Sequence, residues 1–210
     1  MKKCTELLKI IVENCGEVTK DYLEIGLDAL LDGKVISDLP IVNTAYALLK
    51  LPISIHNAYY FQKIINCCYY MKDIPKIERS KFINKGMDKD EHFAEKFFLA
   101  LEKIDELDKI PMLNRMILAY ANDTIDYCTF RRFAIILENT FVEDLNYIEE
   151  VFNKEYFGGI SAIALVASGL AQECIFNGNE HSDTDELYCL TSIGVQFYEC
   201  VFTDRYNIVL

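Results

Sequence analysis

The chain has 210 residues and a formal net charge of −12, with 21 Lys and Arg set against 33 Asp and Glu. Its 51% hydrophobic content, with only 9 Gly and 4 Pro, excludes the disordered and fibrous classes and allows one large domain or two small ones. The acidic balance also excludes binding of phosphate backbones or anionic lipid through the average surface, so either role needs a local basic patch.

The first residues, MKKCTELLKIIVENCGE, carry Leu7, Leu8, Ile11 and Val12 on one helical face, interrupted by Glu6, Lys9 and Glu13. That pattern is an amphipathic helix ending near Gly16, not an unbroken apolar export signal, so a cytoplasmic location is expected. The eight cysteines, Cys4, Cys15, Cys67, Cys68, Cys128, Cys174, Cys189 and Cys200, show no CxxC spacing. They read as reduced, mostly buried thiols rather than a disulfide framework or a zinc site.

A second helix is expected from about 18 to 31, followed by helices near 41–50 and 53–72, each entered through a proline. Residues 35–70 are the most apolar stretch. Asp38, Lys50, His56, Asn57, Gln62, Lys63 and Asn66 recur in it, and Pro40 and Pro52 break it, against the roughly 20 apolar residues a spanning helix needs. A membrane-surface role through its tyrosines is the competing reading, beside a core hairpin of helices.

A short helix at 76–85 is expected to end at Gly86, and Asp88 with Glu91 forms a capping-box pattern for the next helix. There Phe93, Phe97, Phe98, Leu101, Ile104 and Leu107 form the inner stripe, with Asp105, Glu106 and Asp108 on a solvated face. Pro111 opens another helix, and Asp126 caps one whose inner stripe is Tyr127, Phe130, Phe133, Ala134 and Leu137. After a helix near 143–153 and a Gly158-Gly159 break, the apolar helix 160–170 closes at Gly169. Strands at 171–176 and 186–191 then flank a polar loop, 177–185, before a final helix from Ser192. These elements predict a mainly α protein, with a helical body over 1–142 and a C-terminal unit over 143–210 containing one β-hairpin.

Leu165, Gly169 and Leu170, then the hairpin, then Tyr188-Cys189-Leu190-Thr191 with Gly194, resemble the end of a winged-helix domain. The resemblance implies that residues 159–169 occupy the position of a recognition helix. More weakly, the segments Leu39–Val42 and Lys72–Pro75 are similar to uncharacterised bacterial mobile-element proteins, which implies a setting in phage–host conflict.

DNA binding by a winged helix needs basic and polar side chains on that helix. Between Val151 and Thr203, Lys154 stands alone against Glu155, Glu173, Glu180, Asp183, Asp185, Glu186 and Glu199, and residues 159–169 carry no Arg, Lys, Asn or Gln. The charge has the wrong sign, so nucleic acid is a disfavoured partner. His56, His92 and His181 fall in unrelated segments without HxxxH or HExxH spacing, Gly158-Gly159 lacks the lysine of a phosphate loop, and residues 177–186 do not match a calcium loop. Arg131-Arg132 reads as an ion-pairing site. No catalytic residue, cofactor or metal is assigned.

The expected function is therefore a non-enzymatic protein-interaction or regulatory module. The alternatives are a membrane-active effector using residues 35–70 and a winged-helix DNA-binding regulator. Residues 160–170 are apolar nearly all round, which calls for burial on two sides. Ile160, Ile163, Leu165 and Val166 are the expected partner-binding residues, with a second copy of the chain as the simplest partner.

Overall fold

A computed structural model of the chain describes residues 2–24, 54–174 and 187–203. Residues 25–31 of the second expected helix, the expected helix at 41–50, much of the 35–70 membrane candidate and the loop 177–185 lie outside the described residues. Among the described residues there are nine α-helices and a two-stranded antiparallel sheet, so the protein is mainly α with one hairpin. It separates into two compact units, residues 1–130 and 131–210. The division thus comes ahead of the boundary expected at 142.

In the first unit, α1 (Lys2–Asn14) buries Leu7, Leu8, Ile11 and Val12, the stripe read from the sequence. Single 3-10 turns follow at Cys15–Glu17 and Lys20–Tyr22, in place of a helix starting at Val18. Next, α2 (Ile55–Met71) begins where the Ser54 side chain accepts the Asn57 N–H at 3.2 Å. It is followed by α3 (Lys76–Lys89), α4 (Phe93–Lys103) and α5 (Ile110–Ala121), the last with Pro111 in its first turn as expected.

Phe82 of α3 is the hub of this unit. Its ring meets those of Phe93, Phe97, Tyr120 and Phe130 at centroid separations of 5.1, 5.7, 6.1 and 5.6 Å, all edge-on. This packing overrides two local signals. Gly86 does not end its helix: α3 continues to Lys89, and Gly86 is buried where a Cβ would stand 2.3 Å from the Phe93 ring. Asp88 lies inside that helix and caps nothing. The turn is made by Asp90 instead, whose Oδ1 accepts the His92 N–H at 2.9 Å.

Two lysines are buried here. Lys63 Nζ donates to the carbonyls of Glu102 and of Ile104, the latter at 2.8 Å, so it satisfies the free carbonyl end of α4. Lys109 Nζ pairs with Asp105 at 2.5 Å and Glu106 at 3.3 Å. Those two carboxylates follow the end of α4 and pair with a buried cation, which corrects the reading of them as lying on a helix face, although Asp105 remains 54% exposed.

Helix α6 (Tyr127–Asn139) starts as expected, with Asp126 Oδ1 accepting the Thr129 N–H at 2.7 Å. The division between units lies within it, because Phe130 belongs to the Phe82 cluster whereas Phe133 packs edge-on against Phe197 at 5.1 Å.

The second unit continues with α7 (Val142–Val151), α8 (Ile160–Ala167), β1 (Ala171–Glu173), β2 (Tyr188–Leu190) and α9 (Ser192–Val201). The hairpin register pairs Ala171 with Leu190, Gln172 with Cys189 and Glu173 with Tyr188. Phe157 adds an antiparallel bridge to Tyr188. Leu145, Ile148, Leu165, Leu170 and Phe197 form the buried interior of this unit.

Candidate partner-binding groove

The groove is bounded by the C-terminal part of α6, the α6–α7 corner and α8, and all its lining residues belong to the second unit. On one side of it, α8 is held at both ends by backbone geometry that the sequence specifies. Gly159 precedes it with φ 101°, and the Tyr147 hydroxyl donates to the Gly158 carbonyl at 2.9 Å. At the other end Gly169 adopts φ 79°, Leu170 N–H bonds to Leu165 O at 2.8 Å, and Gly169 N–H bonds to Val166 O at 2.9 Å. These two bonds define a Schellman stop, which requires a left-handed residue where glycine has no Cβ penalty.

With its ends fixed, α8 turns Ala162 and Leu165 into the interior and Ile160 and Ile163 outward. Ile160 is 87% exposed and Ile163 53% exposed, whereas Leu165 is fully buried and Val166 half-buried. Of the four residues expected to meet a partner, the structure places Ile160 and Ile163 on the open face. Leu165 is a core residue instead, because it lies on the stripe shared with Ala162.

Two further apolar side chains stand across from them. Ile135 of α6 is 49% exposed, and Phe141, at the corner leading into α7, is 66% exposed. Together with Ile136, Asn139, Thr140, Asp144, Ala164, Ala167 and Ser168 they line a groove of about 680 Å³. Its polar walls are largely self-satisfied: Asn139 Nδ2 donates to Ile135 O at 2.7 Å, and Ser168 Oγ donates to Leu165 O at 2.9 Å. Asp144 is the one charged residue in the lining. Such a surface removes apolar area from water on binding and offers little for polar chemistry.

Sequence reasoning missed Ile135 and Phe141. The available signal was the stripe of α6 itself: Ile135 falls off the face made by Phe130, Phe133, Ala134 and Leu137, although a single apolar residue on an outer face is common and by itself marks no contact.

No family model matches this sequence, and neither a curated protein nor a solved structure is significantly similar to it.

Among the described residues, the other candidates are not assembled into a site. In the first unit, His56 is exposed and paired with Glu102 at 3.1 Å, and His92 is flanked by Glu91 and Glu95 at 3.5 and 3.7 Å. His181 lies outside the described residues. Among the described residues, no three His, Cys, Asp or Glu side chains are grouped to hold a metal ion, and no helix is long and apolar enough to cross a membrane. Cys174 and Cys189 are close enough for their thiols to hydrogen-bond, and burial together with that bond pushes Cys174 up to about 12. A thiol so raised is a poor nucleophile at neutral pH.

Proposed function

We propose that this protein is a non-enzymatic binding module, and that the groove between α6 and α8 seats a polypeptide partner. One observation supports the reading above the rest. Ile135, Phe141, Ile160 and Ile163 come from separate stretches of the chain and converge on one groove, although each is about half or more exposed. Leaving four large apolar side chains beside one another in water costs free energy at about 25 cal/mol per Å², which covering by a partner would recover.

The winged-helix resemblance fits this reading better than it fits DNA binding. By that resemblance α8 would take the place of a recognition helix, yet it carries isoleucine and alanine and not a single basic side chain. Phosphate contacts, which supply most non-specific affinity for DNA, would have no donors there.

A photo-crosslinking amino acid in place of Ile163 tests the proposal in cells, with the same substitution at Leu99, 52% exposed on α4, as a control. The expected result is a discrete polypeptide adduct from position 163 and none from position 99. Equal labelling at both positions, or none at 163, would refute it.

A further inference from the structure

Resting on that reading, we infer that the occupant of the groove is a second copy of the chain, related by a two-fold axis that sets Arg132 of each copy against Asp144 of the other. The same unit supplies both walls of one apolar trough, Ile160 and Ile163 on the α8 side and Ile135 and Phe141 on the other. A two-fold interface is isologous, so in such a pairing each copy would cover the other's exposed isoleucines with the same apolar surface.

Two charges have the signs such a pairing needs: Asp144 lines the trough, and Arg132, outside its lining, stands one helical turn before Ile135 and Ile136 on α6. On α6, Arg132, Ile135, Ile136 and Asn139 share one face at positions i, i+3, i+4 and i+7. Arg132 is exposed there, about 10 Å along the helix axis from Asn139 at a rise of about 1.5 Å per residue. Asp144 lies at the opposite end, in the first turn of α7 beyond Phe141, and lines the groove. Neither side chain has an ion-pair or hydrogen-bond partner among the described residues. A surface basic at one end and acidic at the other repels a parallel copy and attracts one turned through 180°, so the charges set the orientation while apolar burial supplies affinity.

Sedimentation velocity on the full chain with two single charge reversals, Arg132→Glu and Asp144→Lys, tests the arrangement. Each reversal alone creates two like-charge contacts across the axis and should raise the dimer dissociation constant by roughly tenfold. In an equimolar mixture of the two variants, the introduced glutamate meets the introduced lysine at one contact and Arg132 meets Asp144 at the other. That mixture should associate about as tightly as the wild type. A mixture that associates no better than either variant alone overturns the pairing, as does a wild-type chain that is monomeric at every concentration. If that monomer nevertheless crosslinks from position 163 to a different polypeptide, the second copy is refuted and the groove reading stands. If it crosslinks to nothing, both fall.

Discussion

Gly194 and the carbonyl of Leu170 approach so closely that a Cβ on residue 194 would stand 2.0 Å from the oxygen. This contact ties the start of α9 to the end of α8, and Thr191 completes it: its Oγ1 accepts the Gly194 N–H at 3.0 Å, while its N–H donates to Leu170 O at 3.0 Å. The Leu-Thr-x-x-Gly pattern is therefore a junction in which one residue caps the helix and another lets backbone meet backbone.

Gly194→Ala should destabilise the protein, although alanine is the better helix former by about 1 kcal/mol. The clash is with backbone, which cannot swing aside, and overpacking of that kind costs about 1–3 kcal/mol or more. Chemical denaturation should show a lower midpoint with an unchanged slope; a stabilised variant would mean that the junction is looser than described.

Thr191→Val removes the cap while keeping the shape, with an expected loss of about 1 kcal/mol, and Thr191→Ser should recover most of it. If valine and serine behave alike in the same denaturation experiment, the hydroxyl is not capping α9.

Asp90 makes the first unit acid-sensitive. Its carboxylate accepts from Lys96 Nζ at 2.5 Å and from the Tyr127 hydroxyl at 2.6 Å, and these bonds hold its pKa well below the ordinary carboxylate range. The folded state therefore binds fewer protons than the unfolded state below about pH 4, so the contribution is complete above that range and is lost as the pH falls through it. Asp90→Asn should lower the melting temperature at pH 7 by several degrees, with a gap from the wild type that narrows as the solution is acidified. A gap independent of pH would assign the loss to packing.

The cysteines should separate by burial. Cys128 is exposed, whereas Cys15, Cys67, Cys68 and Cys200 are buried, and burial pushes Cys67 up to about 12. A chromogenic thiol reagent should titrate Cys128 rapidly in the native protein and all 8 thiols after unfolding. Substantially fewer than 8 would reveal a disulfide, with Cys174 and Cys189 the pair to examine.

Local chemistry was legible and distant packing was not. Pro111, Asp126 and Gly169 act within one helical turn of themselves, so a linear reading places the helix ends they make. Gly86 and the Asp88-Glu91 pattern carry equally good local signals, yet the Phe93 ring occupies the space beside Gly86 and the helix runs through. The hairpin and its following helix were readable because the Thr191 cap and the close approach of Gly194 are written into four consecutive residues. The groove was half legible: α8 announces itself as too apolar for a free surface helix. Its opposite wall comes from Ile135 and Phe141, about twenty residues earlier, and no local pattern connects them to Ile160. Leu165 was misassigned for the complementary reason, since apolar composition alone does not say which side of an eight-residue helix the interior will claim.

The association state of the wild type and of Ile163→Asp, followed by light scattering over a wide range of concentration with circular dichroism on the same samples, decides whether the groove seats a second copy. The wild type should pass from one copy to two as concentration rises, and the variant should remain a single copy with unchanged helicity. A wild type and a variant with the same mass at every concentration, both fully helical, would refute self-association through the groove and leave Ile163 an exposed side chain without a partner copy.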